Sequence, residues 1–130
     1  MAVFNESTQR LEFVVARRLE KESFRESVIR EVAWQLELDR SRDFLVANMA
    51  QCNIDLKGDI PGIGREAWVQ AAFYNVEMYR SRIAAALSED PANAWLSSHE
   101  ICDGVSESGC ALDPLVHDLI LRSKVIEPRD

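Results

Sequence analysis

The chain has few of the residues that interrupt regular structure. It contains five glycines and four prolines in 130 residues, which leaves little material for the many tight turns of an all-β fold. No run of about 18 apolar residues is present, so we predict no membrane span. The first six residues lack a basic segment followed by an apolar one, so no signal peptide is expected.

Cysteine is also scarce, and its number is odd. Three cysteines argue against the disulfide framework of a secreted protein and favour the reducing cytoplasm. The sequence pI of about 4.9 argues against direct binding to nucleic acid, which requires clustered lysine and arginine. A length of 130 residues, 47% of them hydrophobic, fits one domain with its own core. We therefore expect residues 1–130 to form a single cytoplasmic domain.

Lysine and arginine are missing altogether between Arg82 and Arg122. Residues 88–130 hold nine acidic and three basic side chains, whereas residues 1–42 hold eight of each kind. The C-terminal third therefore carries −6 of the formal net charge of −7. Such local charge indicates what kind of partner a surface attracts, although it says nothing about the fold.

Apolar residues recur at helical spacing along much of the chain. A capping box at Ser23 and Glu26 precedes an apolar stripe and predicts a helix over about 24–38. Asp113 followed by Pro114 predicts the cap and first turn of a final helix. Further helices are predicted at 11–19, 44–49, 65–87 and 91–96. The sequence thus predicts an all-α, compact single-domain bundle of five to six helices, with irregular loops at about 52–64 and 99–111.

The group of potential metal ligands with the most suitable residue types is His99, Cys102, Cys110 and His117. Two thiolates and two imidazoles are a ligand set that zinc accepts in a tetrahedron. The spacing is wider than in zinc fingers, and the simpler interpretation makes the cysteines small, half-buried hydrophobic residues. We therefore expect no cofactor and keep a zinc-stabilised helical domain as an alternative.

No catalytic motif is present. A nucleophilic serine or cysteine needs a base held against it by a third group, and neither a G-x-S-x-G turn nor a phosphate-binding loop occurs. Cys102 and Cys110 lie near His99 in sequence, so a small cysteine-dependent enzyme stays a second alternative. The expectation is a non-catalytic protein.

The acidic third of the chain is the remaining candidate site. Carboxylates gathered on one surface can dock on a basic groove and speed the encounter with its owner. The common alternative is a solvated face that keeps the protein soluble. The residues predicted to bind a partner are Glu89, Asp90, Trp95, Glu100, Asp103, Glu107, Asp113 and Asp118.

The partner expected for this surface is a larger protein with a basic surface, such as a nucleic-acid-handling enzyme. The chain itself would then be a regulatory protein of the inhibitor or adaptor class, similar in size and charge to bacteriophage-type inhibitors. A symmetric homodimer is a further possibility. The aromatic residues Trp95, Trp68 and Tyr74 would anchor such a contact if exposed. Trp34 either widens the core stripe of its helix or marks a second contact surface. We expect all four in the core.

Overall fold

The structure, a computed structural model, describes residues 1–60 and 64–127. It contains both strands and helices within those ranges. The strands are β1 (Ala2–Asn5), β2 (Arg10–Glu12), β3 (Phe44–Val46), β4 (Cys52–Ile60), β5 (Gly64–Phe73), β6 (Val76–Met78) and β7 (Asn93–Ala94). The helices are α1 (Phe24–Gln35), α2 (Ser81–Glu89), α3 (Ser98–Asp103) and α4 (Pro114–Ser123). The prediction of an all-α bundle is therefore wrong, because the fold is a mixed α/β one.

The described strands form three small antiparallel sheets, ordered β2–β1–β7, β3–β6 and β4–β5. The first sheet packs against α3 and α4 around a core of six buried residues. They are Ala2, Leu11, Ile101, Leu112, Val116 and Ile120. A second core joins α1 to the β3–β6 sheet through Ile29, Val32, Phe44 and Val46.

Two of the predicted helices are confirmed, and both begin where their caps predict. The Ser23 hydroxyl accepts a hydrogen bond from the Glu26 backbone N–H at 3.1 Å, so α1 starts at the capping serine. Asp113 caps α4 by accepting from the Val116 N–H at 3.2 Å, with Pro114 in the first turn. Both caps satisfy donors that no helical carbonyl can reach.

The predicted helices at 11–19 and 44–49 are wrong. Leu11 is buried in β2, while Val15 and Leu19 are exposed on an irregular segment, so their spacing does not define one face. In β3, Phe44 and Val46 are buried and Leu45 is exposed. This alternation is the period of a strand, because successive side chains point to opposite faces of a sheet.

The predicted loop at 52–64 is mostly the long strand β4, and residues 61–63 lie outside the described ranges. The predicted helix at 65–87 is replaced by β5, β6 and the start of α2. Ala71 and Ala72 favour helix as isolated residues, but cross-strand pairing of β5 with β4 overrides that weak preference. Residues 84–86, also alanines, do lie in a helix, α2.

The region around residues 91–111 also differs from prediction. Strand β7 replaces the short helix predicted at 91–96, and it pairs with β1 through Ala2↔Ala94 and Val3↔Asn93. Helix α3 occupies the first part of the loop predicted at 99–111, and Gly104 ends it in the left-handed region at φ +77°. Only residues 104–111 remain a loop. No helix within the described residues has the length and apolar character that crossing a bilayer requires.

Candidate functional site: a cleft beside the first sheet

A cleft of about 440 Å³ opens between the first sheet, residues 91–96 and the loop 104–111. Phe4 and Leu11, which pair across β1 and β2, supply apolar wall. Trp95, Glu100 and Glu107, three of the residues predicted from sequence to bind a partner, also line this cleft. The chain fold therefore brings an aromatic ring, two carboxylates and an apolar surface together.

Hydrogen bonding to α2 fixes the position of the Trp95 ring. Its indole Nε1–H donates to the Ser88 hydroxyl at 2.7 Å, and that hydroxyl donates to the Ala84 carbonyl at 2.8 Å. The side chain stays 52% exposed. A tryptophan that is anchored at its polar atom and exposed on its ring presents a rigid apolar surface at low entropic cost.

Glu100 holds the cleft's acidic wall in place. One carboxylate oxygen accepts the Ser97 N–H at 2.9 Å, which completes a capping box at the start of α3. The other oxygen accepts the Glu107 N–H at 2.9 Å. These two backbone hydrogen bonds, Ser97 first, lower the pKa of Glu100 below its usual value. Glu100 therefore stays negative, and it positions Glu107 next to itself.

The loop 104–111 is ordered by its own hydrogen bonds. The buried Ser106 hydroxyl accepts the Cys110 N–H at 3.0 Å and lies 2.8 Å from the Ser108 hydroxyl. Two backbone hydrogen bonds attach the loop to β2. The Leu11 N–H donates to the Ala111 carbonyl at 2.8 Å, and the Asp113 N–H donates to the Leu11 carbonyl at 2.9 Å. The N-terminal strand and the acidic loop are thereby joined into one wall.

The other predicted acidic residues do not all contribute free charge to this surface. Asp90 accepts the Ala92 N–H at 2.9 Å, and Asp113 is the cap of α4. Asp118 forms an ion pair with Arg122, with 3.0 Å between Oδ2 and Nε. Glu89 and Asp103 are exposed. Part of the acidic sequence therefore serves local structure, and among the residues predicted to bind a partner, Trp95, Glu100 and Glu107 line the cleft.

The four predicted metal ligands are not gathered into a site. Within residues 1–60 and 64–127, no group of three or more His, Cys, Asp or Glu side chains is arranged to hold a metal ion. The His117 Nε2–H donates to the Cys102 carbonyl at 2.9 Å, and the Cys102 thiol lies 3.4 Å from the Ile126 carbonyl. Cys110 lines the cleft instead, and all three cysteines are free thiols. His99 is exposed on α3. The disposition of these residues does not support the zinc alternative.

The expectation that the tryptophans lie in the core is also wrong. Trp34 and Trp68 are 77% and 61% exposed. Trp34 lies on the outer side of α1, and Trp68 lies on the polar face of β5, where its Nε1–H donates to Asp55 at 2.7 Å. Helix α1 uses Ile29 and Val32 for its core contact instead.

Phe4 and Leu11 are the wall residues that sequence reasoning missed. Both belong to short N-terminal strands that pair with each other and, through β7, with residues far along the chain. For Phe4, the local pattern that could have indicated a strand was the apolar triplet at residues 2–4, which is too short to distinguish a strand from a helix.

Comparison with protein-family models, with curated proteins and with solved structures gives no match for this chain. The cleft must therefore be interpreted from its own chemistry. Apolar wall, a rigid indole and adjacent carboxylates together suit a cationic group carried on an aliphatic stem, which describes lysine and arginine side chains.

Proposed function

We propose that this chain is a non-catalytic regulatory protein that docks on a basic surface of a larger protein. The observation that supports the proposal is the convergence of Trp95, Glu100 and Glu107 on one cleft. In the docked complex, an arginine or lysine of the partner enters this cleft. Its aliphatic stem packs on Phe4, which is half-buried, and its charged end lies near Glu107.

The cleft offers such a side chain three separate interactions. The stem gains apolar contact, worth roughly 25 cal/mol for each Å² of apolar surface removed from water. The cation gains about 0.5–1 kcal/mol from the face of an exposed indole. Because Glu107 is exposed, its ion pair with the partner adds only about 0–1 kcal/mol. One side chain of the partner is therefore the anchor of the proposed contact.

The charge of the chain favours a protein partner over nucleic acid. Phosphates repel a chain of net charge −7, whereas a groove built for phosphates attracts its carboxylates. A nucleic-acid-handling enzyme has such a groove, so an inhibitor or adaptor of that class of enzyme is the role we propose. Its proposed compartment is the cytoplasm, because all three cysteines are free thiols.

Binding of a cationic probe, hexa-arginine, tests this proposal. In a Trp34→Phe/Trp68→Phe background, Trp95 is the one remaining tryptophan, so its fluorescence reports on the cleft. We expect a saturable change on titration. Glu107→Gln should weaken binding about two- to fivefold, because the ion pair of an exposed carboxylate is worth up to about 1 kcal/mol. Glu100 is left intact because its carboxylate holds the loop.

The matched control is Glu77→Gln, which removes the same charge from the exposed face of β6. It should change the affinity by less than twofold. Equal weakening by Glu107→Gln and Glu77→Gln would mean that hexa-arginine responds to net charge alone, and the cleft would lose its assigned role.

A further inference from the structure

Strands β4 and β5 form a ribbon that is separate from the other two sheets. They pair from Cys52↔Phe73 to Gly58↔Ala67, with a bulge before Ile60↔Gly64. No third strand joins them within the described residues. Helix α4 accompanies β4, since the Cys52 thiol lies 3.8 Å from the Ser123 carbonyl and Arg122 donates to the Asp59 carbonyl at 3.4 Å. The free ladder edge of β5 has no comparable hydrogen bond in this part of the structure.

Residues 67–73 of β5 lack the devices that protect sheet edges. Proteins guard such edges with charged residues, proline or bulges. β4 has Lys57 and the bulge that follows Gly58, where φ is +118°. Residues 67–73 of β5 read Ala-Trp-Val-Gln-Ala-Ala-Phe, with no charge, proline or glycine. An unguarded edge of this length is a template for another strand.

The two faces of the ribbon differ in character. Ile54, Leu56 and Val69 lie on one face, and each is only half-buried. On the other face, the Lys57 ammonium lies 5.4 Å from the centre of the Trp68 ring. Two-stranded ribbons are marginally stable in water, whereas three or more strands with an apolar face are stable. Additional strands would therefore extend the apolar face and stabilise the ribbon.

We propose that the free edge of β5 pairs with the same edge of a second copy of this chain. A two-fold axis perpendicular to the sheet makes the new pairing antiparallel, so the product is a continuous four-stranded sheet in the order β4–β5–β5–β4. Charge favours this occupant. The described ribbon carries three acidic and two basic side chains and is nearly neutral, whereas the C-terminal third has most of the charge of −7. Two copies therefore meet where their mutual repulsion is weakest.

The residues of β5 accept several symmetric registers. A two-fold axis at Trp68, Val69 or Gln70 places no like charges opposite each other, since the nearest charged residues are Arg65 and Glu66. A partner with a basic surface gains nothing from this uncharged edge, so the edge and the cleft serve different contacts.

Sedimentation equilibrium of the full chain tests the proposal. We expect a monomer–dimer equilibrium with a dissociation constant below about 1 mM. Hydrogen exchange of the amides in 67–73 should slow as the protein concentration rises. Trp68→Glu/Gln70→Glu should raise the dissociation constant about threefold or more, because each of the three registers then sets glutamates opposite each other and none gains a pair of opposite charges.

The matched control is Asn53→Asp/Lys57→Gln, which changes the charge of β4 by the same two negative units and leaves the sequence of β5 unchanged. It should leave the dissociation constant within about twofold. Within one chain, Gln70 lies opposite Asp55 and Trp68 lies opposite Lys57, so the β5 variant gains one attraction and one repulsion. If it does not fold, hydrogen exchange in the parent chain decides, because amides in 67–73 that do not slow as the dimer forms would overturn the proposal.

A monomer at the highest concentration, or a dimer that the β5 variant leaves unchanged, would overturn the proposal. A strand donated by another protein, or association through another face, would give one of those results. Neither result bears on the cleft, because none of these substitutions is in its walls.

Discussion

The substitution Gly104→Ala tests how α3, α4 and the acidic loop are joined. Gly104 has φ +77°, and a Cβ added there would lie 2.7 Å from His117 Cε1 and 2.9 Å from both ring nitrogens. The left-handed backbone costs an alanine about 1–2 kcal/mol. The ring must also move, which breaks its hydrogen bond to the Cys102 carbonyl and costs a further 0.5–1.5 kcal/mol or so. We therefore expect a total loss of about 1.5–3.5 kcal/mol.

Gly109 provides the matched control for this substitution. Its φ is +88°, but nothing lies within 4 Å of an added Cβ. Gly109→Ala should therefore cost only the backbone part, about 1–2 kcal/mol. Urea unfolding with an unchanged m value measures both losses. The difference between the two variants isolates the contact with the histidine ring.

A double-mutant cycle completes the experiment. In a His117→Ala background the ring is gone, so Gly104→Ala should cost no more than Gly109→Ala does. Two results would contradict the packing of His117 on the end of α3. One is an equal loss in free energy of unfolding from Gly104→Ala and Gly109→Ala in the parent chain. The other is a loss from Gly104→Ala that stays the same when the ring is removed.

Three other substitutions have definite expected outcomes. Phe44→Ala should lower the free energy of unfolding by about 3–5 kcal/mol, because Phe44 is 2% exposed. Leu45→Ala should lower it by less than about 1 kcal/mol, because Leu45 is 41% exposed. Similar losses from the two substitutions would contradict the strand β3. Ser23→Ala should cost about 1 kcal/mol in urea unfolding through loss of the α1 cap, and an unchanged midpoint would argue against that cap. Glu100→Gln should destabilise the chain at neutral pH. Because the pKa of Glu100 is lowered in the folded chain, this carboxylate stabilises fully above its ordinary pKa of about 4.5, and the stabilisation is lost as the pH falls through the folded value. The two unfolding free energies should therefore converge in acid, and a pH-independent difference would show that ionisation is not the cause.

The sequence was sufficient to predict an element of structure where the residues that determine it are close together in the chain. The caps of α1 and α4 depend on residues three apart, so Ser23 and Asp113 identified both helix starts. The carboxylates and tryptophan of the cleft were also found from sequence, because charge and aromatic character do not depend on the fold.

Sequence reasoning failed where strand pairing decides the structure. Asn53, Asp55 and Lys57 alternate with Ile54 and Leu56 along β4, which is the period of a strand with one apolar face. The nearby glycines and aspartates suggested a turn instead. In β5, the alanines suggested a helix until the pairing with β4 was known. The alternation in β4 could therefore have been recognised from sequence, whereas β5 could not be assigned alone, because its strand is stabilised by its contacts with β4.

The two ends of the chain meet in a way that no local pattern encodes. The parallel bridge between Leu11 and Leu112 joins β2 to the segment before α4. That contact brings the acidic loop to the first sheet and creates the cleft. Its partners are about a hundred residues apart, so the site became visible only in the folded chain.

Residue-resolved NMR during titration with hexa-arginine tests the role of the cleft most directly. We expect saturable shifts centred on the Trp95 indole N–H and the amides of residues 106–108, and these shifts should be much reduced in Glu107→Gln. Shifts spread over all exposed carboxylates, including Glu77 and Glu66, with the Trp95 signal unmoved, would contradict a cleft built to receive a basic side chain.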